Sequence, residues 1–490
     1  MKKQTIIVSA MLPFAAFVIV SCTINHEVEA SSNIHSESPL SETSESLRIE
    51  TSEQPSSSPE FMPDSSPDPS VISPEITHSV IPEYIVIGGE KINTAEPVLH
   101  IIIDSEQIYA AGTELYIYTT SETADADIAQ LRYMTNLQKL SIDYGRYPEF
   151  NSSISDISAL AELTSLTSLR LEGHSISDIS LLAGLTSLTV LELCGNNISD
   201  ISALAGLTAL TKLDFESNEI SDISVLARLT KLDNLNLGRN RINDISVLAD
   251  LKNLKVLRFY DIDNEISDTS AFVNTLAELA DLNVLLIGGY QISDISKLAK
   301  LVNLAELRIW YCQISDIGSL ASLTGLTILD LRGCEISDIS ALAGLVNLTE
   351  LIIWDCQISD ISALAGLVGL IDLYLDNNKI SDISGLAGLT GLIRLGAGSN
   401  KISDIMPLSG LSEIGYLGLA SNEINDINAL EGLVNIYTLD LSYNNISDIS
   451  PLSHHANLEW LSLQGNPISD WSPVEHVEYV SGRPQTVTET

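Results

Sequence analysis

A 22-residue period runs through most of this chain and decides what it can fold into. One unit reads Leu188-Thr-Val-Leu191-Glu-Leu193-Cys-Gly-Asn196-Asn-Ile198-Ser-Asp200-Ile201-Ser-Ala-Leu204-Ala-Gly-Leu207. Fifteen such units open at Leu137, Leu166 and onward to Leu458, with steps of 22 residues except after Leu137 (29 residues) and Leu254 (28 residues). Counting the opening Leu as position 1, alternation over positions 4 to 6 predicts a short strand. An Asn at position 9 turns the chain, and Ile or Leu at positions 11, 14, 17 and 20 lines the interior of a returning segment. One unit alone cannot bury enough apolar surface to order itself. Only stacked neighbours complete the burial and pair the strand edges.

The pattern L-x-x-L-x-L-x-x-N-x-I-x-D-I-x-x-L, with its recurring Ser-Asp-Ile-Ser, resembles the leucine-rich repeat and, in unit length, the internalins of bacterial surfaces. That resemblance implies an α/β solenoid: a horseshoe with a parallel concave sheet and short helical or 3-10 turns on the convex face. Repeats are expected over 137–468 and an N-terminal cap with a divergent first repeat over 82–136. There Tyr84–Ile87 and Val98–Ile103 read as strands, followed by the divergent unit around Leu115–Ile117. A short cap and tail are expected over 469–490. Internalins usually continue into an immunoglobulin-like domain and a wall-attachment region, and twenty residues do not hold either. The family's role in host invasion is therefore not carried over.

At the other end, Lys2 and Lys3 precede an apolar run from Ile6 to Val20, the outline of a signal peptide over 1–21. It closes on Ile19-Val20-Ser21-Cys22, which resembles the bacterial lipobox and implies a lipid anchor on Cys22. Residues 22–81, rich in Ser, Pro and Glu, read as a disordered tether. Together these predict an extracytoplasmic, lipid-anchored protein of the bacterial cell surface that meets the membrane only through Cys22. Twenty-four Lys and Arg against 65 Asp and Glu leave a net charge of −41, which argues against a nucleic-acid partner.

Several repeated residues have a plain structural reading. The Asp at position 13, from Asp156 and Asp178 to Asp470, is what a turn start wants, because a carboxylate there accepts a backbone N–H. A calcium ladder is the competing reading. Cys312, Cys334 and Cys356 stand where other units have Asn, so they read as inward structural thiols, and with Cys194 at a different repeat position no pairing scheme is implied. The eight His are scattered: His26, His35, His78, His100, His174, His454, His455 and His476. With no nucleophile elbow, phosphate loop or zinc signature, no enzyme, cofactor or metal is expected.

Function is then sought at positions 3, 5, 7 and 8, which the repeat leaves unspecified and which face the concave side. In the middle units these positions hold Arg258, Tyr260, Leu286, Arg308, Trp310, Tyr311, Ile328, Asp330, Arg332, Ile352, Trp354 and Tyr374, bordered by Glu350 and Asp355. Trp310, Arg332 and Trp354 share position 7 on consecutive strands, which predicts a guanidinium slotted between two indoles. Trp, Tyr and Arg inside a polar rim are the anatomy of a binding hot spot. A protein ligand on another cell, a host or the envelope is expected, with glycan binding or a passive envelope spacer as alternatives. The long unit at Leu254, with its insert after Tyr260 and a helix expected from Thr269 to Ala280, interrupts the array beside this patch.

Overall fold

Each 22-residue unit becomes one strand, one turn and one short returning segment. The computed structural model describes residues 84–87, 90–93, 101–103, 106–111, 113–119, 125–144, 154–260, 266–289 and 292–483. All of these belong to one compact unit. Cys22 and the segments read as signal peptide and tether lie outside the described residues, as does the insert 261–265.

Seventeen strands, from Glu114–Thr119 to Tyr479–Ser481, form a single parallel sheet in chain order. Neighbouring units pair at equivalent positions, so Leu351 meets Leu329 on one side and Leu373 on the other. The sheet is open, and among the described residues its last strand pairs with Trp460–Ser462 alone. Antiparallel strands Ile101–Ile103 and Glu106–Ala111 precede it, and the second of these pairs with Glu114–Thr119. The separate hairpin Tyr84–Ile87 and Glu90–Asn93 comes first in the described chain. This is the α/β solenoid that the leucine-rich-repeat resemblance implies.

The returning segments are 3-10 turns, such as Ser202–Gly206 and Ser362–Leu364. The Asp at position 13 starts each one. Asp200 Oδ1 accepts the Ser202 N–H at 2.8 Å, and the same bond recurs through Asp360 and Asp448. The longer unit at Leu254 instead forms an α-helix over Thr269–Leu276, capped by Asp268, which accepts the Ala271 N–H at 2.9 Å. Its Phe272 packs on Phe259, ring centroids 5.5 Å apart, filling the wider gap.

The interior is almost wholly Leu and Ile, and the position-9 Asn supplies its polar order. Asn240 Nδ2 donates to the carbonyls of Phe215, Gly238 and Leu237 at 2.9, 3.1 and 3.3 Å, while its Oδ1 accepts the Ile220 N–H at 3.0 Å. One side chain thus satisfies backbone groups of two units that would otherwise be buried without partners. His174 takes this place in the second unit, with Nε2 2.8 Å from the Ile142 carbonyl oxygen. Cys312, Cys334 and Cys356 take it in the middle units, buried, with the Cys356 Sγ 3.4 Å from the Leu331 carbonyl oxygen. Burial pushes the Cys334 thiol up to about 12, so these are inert structural thiols.

Candidate interaction surface

The concave side chains are set by strand alternation, since positions 3, 5 and 7 point away from the core while 4 and 6 point into it. Position 8 behaves differently. In unit after unit it adopts the left-handed conformation, with φ near +53° to +56° at Ser217, Arg239, Tyr311, Asp355, Asn377, Ser399, Ser421 and Tyr443, and Gly173, Gly195, Gly289, Gly333 and Gly465 elsewhere. The chain leaves the strand there. Tyr311 is therefore a rim residue, 63 % exposed, and the true floor consists of positions 3, 5 and 7.

On that floor the sandwich read from position 7 is present. The Arg332 guanidinium carbon lies 5.3 Å from the Trp310 ring centroid and 5.4 Å from that of Trp354. Arg332 is fixed from below by Asp330, with Nε 3.0 Å from Oδ1 and 3.1 Å from Oδ2 and Nη2 bonded to the same carboxylate. Asp330 is fully buried because Arg308 also reaches it, at 3.4 Å, while holding Glu306 at 2.5 Å and Glu350 at 3.4 Å. One network of two arginines and three carboxylates locks the tryptophan pair in place.

Of the twelve residues singled out in the sequence, Tyr260, Leu286, Arg308 and Asp330 are buried. They form the support of the patch. Arg258, Trp310, Ile328, Arg332, Ile352, Trp354 and Tyr374 are half-buried and present one face each. Trp310 also meets Tyr260, with ring centroids 5.6 Å apart and planes at 59°.

A pairing of aromatics with glycines escaped the sequence reading. A Cβ on Gly238 would come 3.0 Å from the Tyr260 ring, and one on Gly288 would come 3.1 Å from the Trp310 Cβ and 3.5 Å from its ring. Likewise one on Gly396 would stand 2.9 Å from the Tyr374 ring, and one on Gly465 would stand 2.7 Å from that of Tyr443. Each ring lies down over a missing side chain in an adjacent unit, so the aromatics are laid flat on the sheet. Glycines one unit away from an aromatic were the available signal.

Toward the first units the floor turns acidic. Asp214 and Glu216 are buried together, bridged by Asn236 Nδ2 at 3.1 and 3.0 Å, with the Cys194 sulfur within 4.8 Å of both. Burial pushes the Glu216 carboxyl up to about 7, with Asp214 adding to the effect and the bond from Asn236 opposing it. Glu172 also rises to about 7, chiefly through burial, despite its ion pair with Arg170 at 2.7 Å. Farther on, burial raises Asp376 to about 6 although its Oδ1 accepts the Gly398 N–H at 2.8 Å.

Comparisons with known proteins agree with this architecture. A family model described as "Leucine-rich repeat region" matches residues 149–385, and one described as "Leucine Rich Repeat" matches residues 435–455. No curated protein matches the chain. Among solved structures, an internalin (InlF) of Listeria monocytogenes is 38 % identical, with a TM-score of 0.57, covering 61 % of this chain and 87 % of its own. The functional domain of InlJ from the same organism, which includes a cysteine ladder, is 22 % identical with a TM-score of 0.50, covering 64 % of this chain and 72 % of its own. The plant peptide hormone receptor RGFR1 in complex with RGF2 is 20 % identical with a TM-score of 0.53, covering 72 % of this chain and 63 % of its own. The periodic sequence, the open parallel sheet and the internalin match together show that this chain belongs to the leucine-rich-repeat proteins of the internalin type.

Proposed function

We propose that this chain is a bacterial cell-surface lipoprotein whose repeat array binds a protein partner through the concave face of the units opening at Leu254 to Leu370. The observation that carries this reading is the Arg332 guanidinium held between Trp310 and Trp354, beside the exposed rim residue Tyr311. The rings are fixed before any partner arrives, by Asp330 and Arg308 below and by glycines alongside, so little side-chain entropy is lost on contact. Half-buried indole faces within a rim of Glu350, Asp355 and Arg258 suit a hot spot. The fold supports a protein partner in general: the solved array of the plant peptide hormone receptor RGFR1 is in complex with RGF2.

Anchoring rests on Ile19-Val20-Ser21-Cys22, ahead of the Ser/Pro/Glu-rich tether at 22–81. Among the described residues no helix is long and apolar enough to cross a membrane. Cells fed a labelled fatty acid should incorporate it into the parent and not into Cys22→Ser. Label in both variants would remove the lipid from this account.

For the patch, the full chain is screened against surface proteins and against glycans, then Trp310→Ala and Trp354→Ala are compared for each hit. A protein hit weakened by about thirtyfold or more in either variant supports the proposal. Hits confined to glycans would move the reading to a sugar-binding platform, since flat rings also stack on pyranoses. Hits indifferent to both variants would place binding elsewhere.

A further inference from the structure

The units at the C-terminal end carry a second set of aromatics that the central patch does not use. Tyr437 directly precedes the strand Thr438–Asp440, and Trp460 and Tyr479 open the next two strands; the three are 41 %, 36 % and 60 % exposed. Strand pairing brings them together: Trp460 is in register with Tyr479, the Tyr437 carbonyl accepts the Trp460 N–H at 3.1 Å, and the Glu459 carbonyl accepts the Tyr479 N–H at 3.2 Å. With parallel strands about 4.8 Å apart, Trp460 and Tyr479 form a short row in register, while Tyr437 stands one residue upstream, level with Glu459, and its ring lies over Gly415 of the preceding unit.

Unlike the central patch, the Trp460 and Tyr479 pair has no arginine between its rings, although the Arg394 charge acts on Tyr437. Glu459 precedes Trp460 and Glu478 precedes Tyr479, and both glutamates are exposed. From Leu392 to Arg483 the chain holds Arg394, Lys401 and Arg483 against eleven Asp and Glu. Ring faces beside carboxylates attract cations twice, through the ring quadrupole and through charge.

We propose that Trp460 and Tyr479, with Glu459 and Glu478 beside them and Tyr437 at the edge, form a second contact site that takes a basic, extended polypeptide segment of a partner, its Lys and Arg side chains lying across the Trp460 and Tyr479 rings. Central-patch binding is not required for it. The net charge of −41 steers such a segment toward the protein, and the row supplies the local selectivity.

The test titrates the full chain with a short peptide alternating Arg and Ser, following tryptophan fluorescence and calorimetric heat, with a Glu/Ser peptide and a neutral glucan oligosaccharide as comparisons. Expected is saturable binding of the Arg/Ser peptide alone, weakened by added salt and by about tenfold in W460A/Y479A. Glu459→Gln with Glu478→Gln should weaken it similarly while leaving the exposed rings in place, so a loss in W460A/Y479A through misfolding would be recognised. Trp354→Ala should leave it unchanged. Three results would overturn the proposal: no saturable binding, peptide binding of equal strength in W460A/Y479A, which would assign it to the acidic surface at large, or saturation by the glucan and not the peptide.

Discussion

At the scale of single residues, the repeat tolerates substitution only where hydrogen-bond arithmetic is respected. Asn240 serves four backbone groups in two units, and Asn240→Ala strands them in a dry interior. That should cost about 2–3 kcal/mol or more in urea unfolding, while loss of an exposed surface amide would be nearly silent. The three thiols at position 9 meet the same demand less well, and their burial leaves Cys312, Cys334 and Cys356 unreactive. A thiol reagent should modify them only as fast as the array opens, and fast labelling of the native chain would contradict the burial. Buried acids set a pH dependence of definite sign. Glu216 has a folded value of about 7 against a usual 4.5, so folding favours its protonated form. Its contribution is fully present below about pH 4.5 and is lost as pH rises through about 7. Glu216→Gln should therefore raise the melting temperature at pH 8 while changing it little at pH 5.

At the scale of elements, each unit is legible because period and chemistry coincide. Leu at 1, 4 and 6, Asn at 9, Asp at 13 and Ile at 14 state strand, turn, cap and core in order, and the structure follows them. The site was legible in part. Trp310, Arg332 and Trp354 could be stacked on paper because position 7 repeats in register. The burial of Arg308 and Asp330 could not be read, since it depends on whether long side chains fold toward the preceding or the following unit. The flat rings depended on the same choice, made by Gly238, Gly288 and Gly396 leaving room on one side only. Gly288→Ala should displace Trp310 and weaken the patch, visible as a changed tryptophan emission and a lower melting temperature, while Gly344→Ala, with open space around it, should do neither. Near the last units, His455 fills the slot that other units give to a core Leu, and burial lowers its basicity. A buried His with a lowered folded value loses stability as pH falls below about 6.5, its ordinary value. His455→Leu should stabilise the end of the array more at pH 5 than at pH 8, as read by hydrogen exchange in the strand Trp460–Ser462.

At the scale of the whole molecule, the array is a nearest-neighbour structure in which stability accumulates by stacking and function is localised by side-chain choice. Acidity is distributed along every unit by the capping Asp, whereas aromatic mass is concentrated in the middle units and again near Trp460. A partner of the central patch should therefore protect only a few adjacent strands. The measurement closest to the central claim is hydrogen exchange of the full chain with and without its captured protein partner. Slowed exchange is expected from the strand Val256–Tyr260 through Asp372–Tyr374, and it should vanish in a Trp310→Ala, Trp354→Ala double variant. Protection confined to the 3-10 turns, or retained in the double variant, would contradict the account.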